Sequence, residues 1–79
     1  MRFVGEVPHP QFKITIFNWN GKYQIKIEAG MYEQTYKVSE MDFTGGEEDV
    51  KKLVNEAFLA KALEVFKLMH GNLQSALGE

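Results

Sequence analysis

The chain has 79 residues, a net charge of −2 and no cysteine, with 44% hydrophobic and 25% charged residues. This length suits one domain, and the absence of cysteine excludes disulfides and thiolate zinc sites. A domain this small buries a limited core and usually needs a further source of stability, for which association with another subunit is the remaining option.

The sequence also bears on the cellular location. Its first residues contain no apolar run long enough for a signal peptide, and no stretch approaches the roughly 18 apolar residues of a membrane-spanning helix. Small secreted domains are commonly rich in disulfides, and this chain has no cysteine. We therefore expect a cytoplasmic protein without a membrane segment.

The N-terminal segment, residues 1–11, contains a short apolar stretch between Phe3 and Val7. Pro8 and Pro10 end this stretch, and proline is tolerated at the end of an edge strand. The segment is thus a possible fourth strand, and the sequence leaves open whether it pairs with the strands that follow.

Residues 12–38 are predicted to form an antiparallel β-meander. The segments 12–19 and 22–29 both alternate between apolar and polar residues, and Asn20-Gly21 between them favours a two-residue hairpin turn. Such a turn fixes the register, with Trp19 opposite Lys22. A third strand, residues 32–38, follows a turn at Gly30.

The two faces of this meander differ in polarity. One face collects the core residues Phe12, Ile14, Ile16, Tyr23, Ile25 and Ile27. Gln34 falls on the same face, and we expect its amide to reach water at the edge of the sheet.

After a loop at residues 39–46, the sequence predicts one long helix over residues 47–70, which makes the fold class α+β. The acidic residues Glu47, Glu48 and Asp49 suit a helix N-terminus. Gly71 is predicted to end the helix, because glycine adopts the left-handed conformation without strain. Residues 71–79 then form a tail that is either frayed or one further helical turn.

Two apolar groups share this helix at about 100° per residue. The first should cover the sheet and comprises Val50, Leu53, Val54, Ala57, Phe58, Val65, Leu68 and Met69. The second lies on the opposite side and gives the candidate oligomer interface Leu59, Leu63 and Phe66. We expect a two-fold homodimer there, the commonest symmetric assembly. The alternative is that the tail or the N-terminal segment covers this side.

The outer face of the sheet is a second candidate surface, formed by Lys13, Phe17, Trp19, Lys22 and Lys26. Aromatic rings beside lysines can stack unpaired bases while the lysines meet phosphates, so single-stranded nucleic acid is an alternative partner. The net negative charge and the lack of a nucleic-acid-binding signature favour a protein partner, either a second copy or another protein.

No pattern of catalytic residues stands out. His9 lies between two prolines and His70 at the predicted helix end, and no carboxylate or nucleophile pattern flanks either histidine. Gly45-Gly46 lacks the lysine and hydroxyl residue of a phosphate-binding loop. We therefore expect a non-enzymatic, homo-oligomeric protein-interaction module without metal or cofactor, whose biological role the sequence does not identify.

Overall fold

The computed structural model describes residues 1–78 and has an α+β fold. The strands β1 (Arg2–Val7), β2 (Lys13–Trp19), β3 (Lys22–Ala29) and β4 (Tyr32–Ser39) form one antiparallel sheet in chain order. A short 3-10 turn (Glu40–Asp42) leads to helix α1 (Glu47–Leu53), and helix α2 (Glu56–Ala76) follows. The predicted meander and C-terminal helix are confirmed, and the N-terminal segment forms the fourth strand.

The β2–β3 hairpin has the predicted register, from Lys13 opposite Glu28 to Trp19 opposite Lys22. Asn20 and Gly21 have φ values of 57° and 77°, which a type I′ turn requires at both central positions. The register of β1 against β2 is less regular, because it shifts between Phe3 and Gly5. Such a bulge bends an edge strand and increases its twist.

The core lies between the inner face of the sheet and the two helices. The side chains that form it are Phe12, Ile14, Ile16, Tyr23, Ile25 and Ile27 from the sheet side and Val50, Val54, Leu59, Ala62 and Phe66 from the helical side. Alternation along β2 and β3 places the apolar residues on this face, as the sequence predicts. The burial of these side chains is the main stabilising term of the fold.

The prediction of one continuous helix over residues 47–70 is wrong at both ends of α2. Val54 (φ −84°, ψ 71°) and Asn55 (φ −100°, ψ 179°) leave the helical conformation. Asn55 caps the new helix, since its side chain accepts a hydrogen bond of 2.9 Å from the Phe58 backbone N–H. The second helix then continues through Gly71 to Ala76, so Gly71 does not end it.

The interruption also overturns the predicted helix faces. Val50 and Val54 are buried as expected, but Leu59 and Phe66, predicted to face away from the sheet, are buried in the core. Leu68, predicted to face the sheet, is exposed. Rotation at about 100° per residue applies within one helix, and the non-helical residues before α2 reset its orientation.

Gln34 connects the sheet to α2 instead of reaching water. Its side chain is buried, and its Nε2 donates a hydrogen bond of 2.8 Å to the backbone carbonyl of Ala62. Its Oε1 accepts a hydrogen bond from the Tyr36 hydroxyl. The expectation of a solvated amide is therefore wrong, because a buried amide needs partners within the protein and finds them on the helix.

The last turns of α2 project beyond the sheet. Helix α2 runs antiparallel to β4, since Phe58 contacts Tyr36 and His70 contacts Tyr32 at the beginning of that strand. The molecule is 46 Å long, and its radius of gyration of 14.0 Å exceeds the roughly 12 Å of a compact domain of this size. Residues 71–76 continue the helix and do not fold back over it.

Candidate interaction surfaces

A row of mostly apolar side chains runs along α2 from the core to the end of the helix, and we call it the α2 stripe. Its members are Leu59, Leu63, Phe66, His70, Leu73 and Leu77. They alternate in steps of four and three residues, the spacing of core positions in a helix that packs against another helix. This spacing continues from the first turn of α2 to Leu77, the C-cap residue that follows the helix.

Only part of the α2 stripe is occupied within the chain. Leu59 and Phe66 are buried, and the ring of Phe66 stacks on Phe12 with 5.7 Å between centroids. Leu63, Leu73 and Leu77 are exposed, Leu77 by 65%. Of the three predicted interface residues, Leu63 is thus at the surface, while Leu59 and Phe66 belong to the core.

A cleft of about 220 Å³ lies between the loop after β1 and the first turns of α2. Phe12, Leu59 and Leu63 form its apolar side, and His9 and Glu56 stand at its rim. This cleft is continuous with the α2 stripe, because Leu59 and Leu63 belong to both.

The polar rim of the cleft has limited chemical capacity. The Nδ1 atom of His9 accepts a hydrogen bond of 3.1 Å from the Gln11 backbone N–H, and Nε2 lies 3.9 Å from a Glu56 carboxylate oxygen. The Glu56 side chain is 88% exposed, so the fold does not hold it against the imidazole. Within residues 1–78, the cleft lining contains no serine, threonine, cysteine or lysine as a nucleophile.

The second histidine is placed elsewhere. His70 Nδ1 lies 2.9 Å from the Tyr32 hydroxyl, on the side where α2 leaves the sheet. In the part of the chain that the structure describes, no three histidine, aspartate or glutamate side chains come together as metal ligands. None of the helices in that part combines the length and the apolar character that crossing a bilayer requires.

The outer face of the sheet carries an aromatic patch formed by Phe3, Phe17 and Trp19. Phe3 lies opposite Phe17, and their rings meet edge to face with 6.0 Å between centroids. Phe3 and Trp19 are both about half exposed, at 56% and 52%. The sequence did not identify Phe3, because the pairing of its strand was undetermined.

Charge divides the outer face into two ends. Lys13 lies opposite Glu28, and Lys26 Nζ lies 3.5 Å from a Glu33 carboxylate oxygen, so this end has mixed charge. Lys22 pairs with Trp19 across the strands, and Lys37 pairs with Gln24 in the row that contains Phe17. The five predicted surface residues share the outer face, with Lys13 and Lys26 at its end of mixed charge and Phe17, Trp19 and Lys22 at the other end.

Lys22 and Lys37 make the aromatic end the basic end. Among residues 1–78, neither lysine has a carboxylate within ion-pair distance. Comparison with protein-family models, curated proteins and solved structures gave no significant match.

Proposed function

We propose that the protein is a small, non-enzymatic interaction module that associates with further copies of itself through α2. The observation that carries this proposal is the α2 stripe, which continues with helix-pairing spacing past the edge of the sheet. Leu63, Leu73 and Leu77 are exposed on it. An exposed row of apolar side chains is characteristic of a binding surface.

A second copy is the partner that suits this stripe best. No position of the α2 stripe carries an acidic residue or a lysine, so the stripe provides no charge for recognising a charged partner. In a two-fold contact the same patch serves on both subunits. The leucines of each copy then meet apolar side chains of the other copy. Burial of these leucines also adds to the small core of each chain.

The molar mass of the protein in solution tests this proposal. Association predicts a multiple of the 9.1 kDa chain mass that decreases on dilution. A mass of one chain at every concentration would overturn the proposal.

A second candidate function is the binding of single-stranded nucleic acid on the outer face. It is supported by the grouping of Phe3, Phe17 and Trp19 with Lys22 and Lys37. Exposed rings stack bases without sequence preference, while neighbouring lysines contact the phosphates. The net charge of −2 opposes this function, so it ranks below self-association.

Fluorescence of Trp19, the only tryptophan, tests the second candidate. An oligonucleotide is expected to quench it at low salt, and added salt should reverse the quenching. Replacing Lys22 and Lys37 by glutamine should reduce the slope of log K against log salt by about 1.4. The same change at Lys13 and Lys26 removes equal charge from the other end and should have a smaller effect. Absence of quenching at low salt would eliminate this candidate.

A further inference from the structure

We infer that two copies pair their α2 helices antiparallel, so that Leu77 of each copy enters the cleft beside Leu59 and Phe12 of the other. This inference deepens the proposed self-association and rests on it. It makes the cleft a composite site, because the second copy supplies the side chain that fills it.

The spacing of the α2 stripe defines the register of such a pair. Placing Leu63 of one helix against Leu73 of the other also places Leu59 against Leu77, since both steps span four residues in opposite directions. His70 then lies level with Phe66 of the second copy, whose ring stays buried in its own core. Each layer joins the two kinds of core position, as antiparallel pairing of a three–four repeat requires.

The cleft is large enough for the side chain that this register delivers. Its volume is about 220 Å³, whereas an apolar cavity of about 150 Å³ already admits benzene. The Phe12 and Leu59 side chains offer an apolar surface to the isobutyl group of Leu77. Leu77 can reach a neighbouring molecule because the turns of α2 after His70 project beyond their own sheet.

The antiparallel direction follows from what each half of α2 already contacts. In a parallel pair, the exposed Leu73 and Leu77 would meet only their own counterparts, and no leucine of the second copy would enter the cleft beside Leu59. In the antiparallel pair, the turns of each helix after His70, which project beyond the sheet, lie along the N-terminal half of the other helix. The partial negative charge of one helix end then lies near the partial positive charge of the other, which is favourable.

Engineered cysteines can test the register, because the chain contains no cysteine. Three samples are oxidised: the Leu63→Cys protein alone, the Leu73→Cys protein alone, and an equimolar mixture of the two. We expect a disulfide-linked dimer in the mixture only. A disulfide needs Cα atoms about 4.4–6.8 Å apart, and two copies of position 63 lie about 15 Å apart along antiparallel helices in this register. A Leu68→Cys protein is the control, because position 68 lies on α2 outside the α2 stripe. It should remain unlinked.

The possible results separate the register from the association itself. Light scattering on the same samples before oxidation reports whether dimers are present. Dimers that do not cross-link in the mixture would overturn the register and leave the proposed function intact. Cross-linking of each variant alone would indicate a parallel pair and would also overturn the proposed register. Monomers of both variants and of the unmodified chain would overturn both proposals.

Discussion

Replacing Leu77 by glutamate is expected to convert the associated protein into monomers. Burying a leucine side chain contributes about 1.5–3 kcal/mol, and a two-fold dimer contains the contact twice. Because 65% of Leu77 is exposed in the single chain, losing both contacts amounts to about 2–4 kcal/mol, or at least about thirtyfold in Kd, before the cost of desolvating two carboxylates. Because Leu77 is 65% exposed in the single chain, the monomer should fold normally. Light scattering measures the dissociation, and circular dichroism measures whether the monomer is folded.

Leu68→Glu is the matched control for this experiment. Leu68 is on the same helix and is 67% exposed, but it is outside the α2 stripe. The same substitution there should leave the molar mass unchanged. Dissociation by both variants would indicate that the contact is not specific to the stripe, and dissociation by neither would contradict the account.

Replacing Ile25 by alanine should cause a large loss of folding stability. Ile25 is fully buried at 0% exposure, on a central strand, opposite Ile16 on one side and Tyr36 on the other. Truncation of such a residue removes buried surface and leaves a cavity, at a cost of about 2–5 kcal/mol. This is a large share of the roughly 5–15 kcal/mol that stabilises a typical domain. Urea denaturation at a fixed protein concentration measures the change in the free energy of unfolding.

Met41→Ala provides the comparison for the core substitution. Met41 is 91% exposed, and substitutions at such positions usually change stability by less than about 0.5 kcal/mol. Equal effects of the two variants would show that the isoleucine face of the sheet is not packed as described.

The hairpin was predictable because its information is local. Asn20 and Gly21 select a turn of two residues, and the alternation on both sides allows one register that buries the isoleucines. A shift by one residue would turn these side chains to the solvent. The structure therefore confirms each predicted pair between β2 and β3.

The helix faces were not predictable from periodicity alone, because one interruption changes the direction in which every later side chain of the helix faces. The prediction extended a single phase from Glu47 to His70. Asn55, a residue type that favours helix N-caps and is followed by an apolar run, was the available signal for a break. Reading a new helix from Glu56 would have allowed Leu59 and Phe66 to face the sheet.

Other features depend on contacts between residues far apart in the chain. The approach of His9 to Glu56 and the position of Gln34 under α2 follow from how the helix crosses the sheet. The addition of Phe3 to the aromatic patch follows from a bulged strand pairing. No spacing in the sequence encodes these contacts, so the sequence predicted the outer aromatic pair but not its third ring.

The molar mass of the unmodified chain, measured by light scattering over about a hundredfold range of concentration, tests self-association through α2 most directly. Self-association through α2 predicts a dimer of two 9.1 kDa chains that dissociates only on dilution. It also predicts little dependence on salt, since the contact is apolar. A constant mass of one chain over the whole range would contradict it.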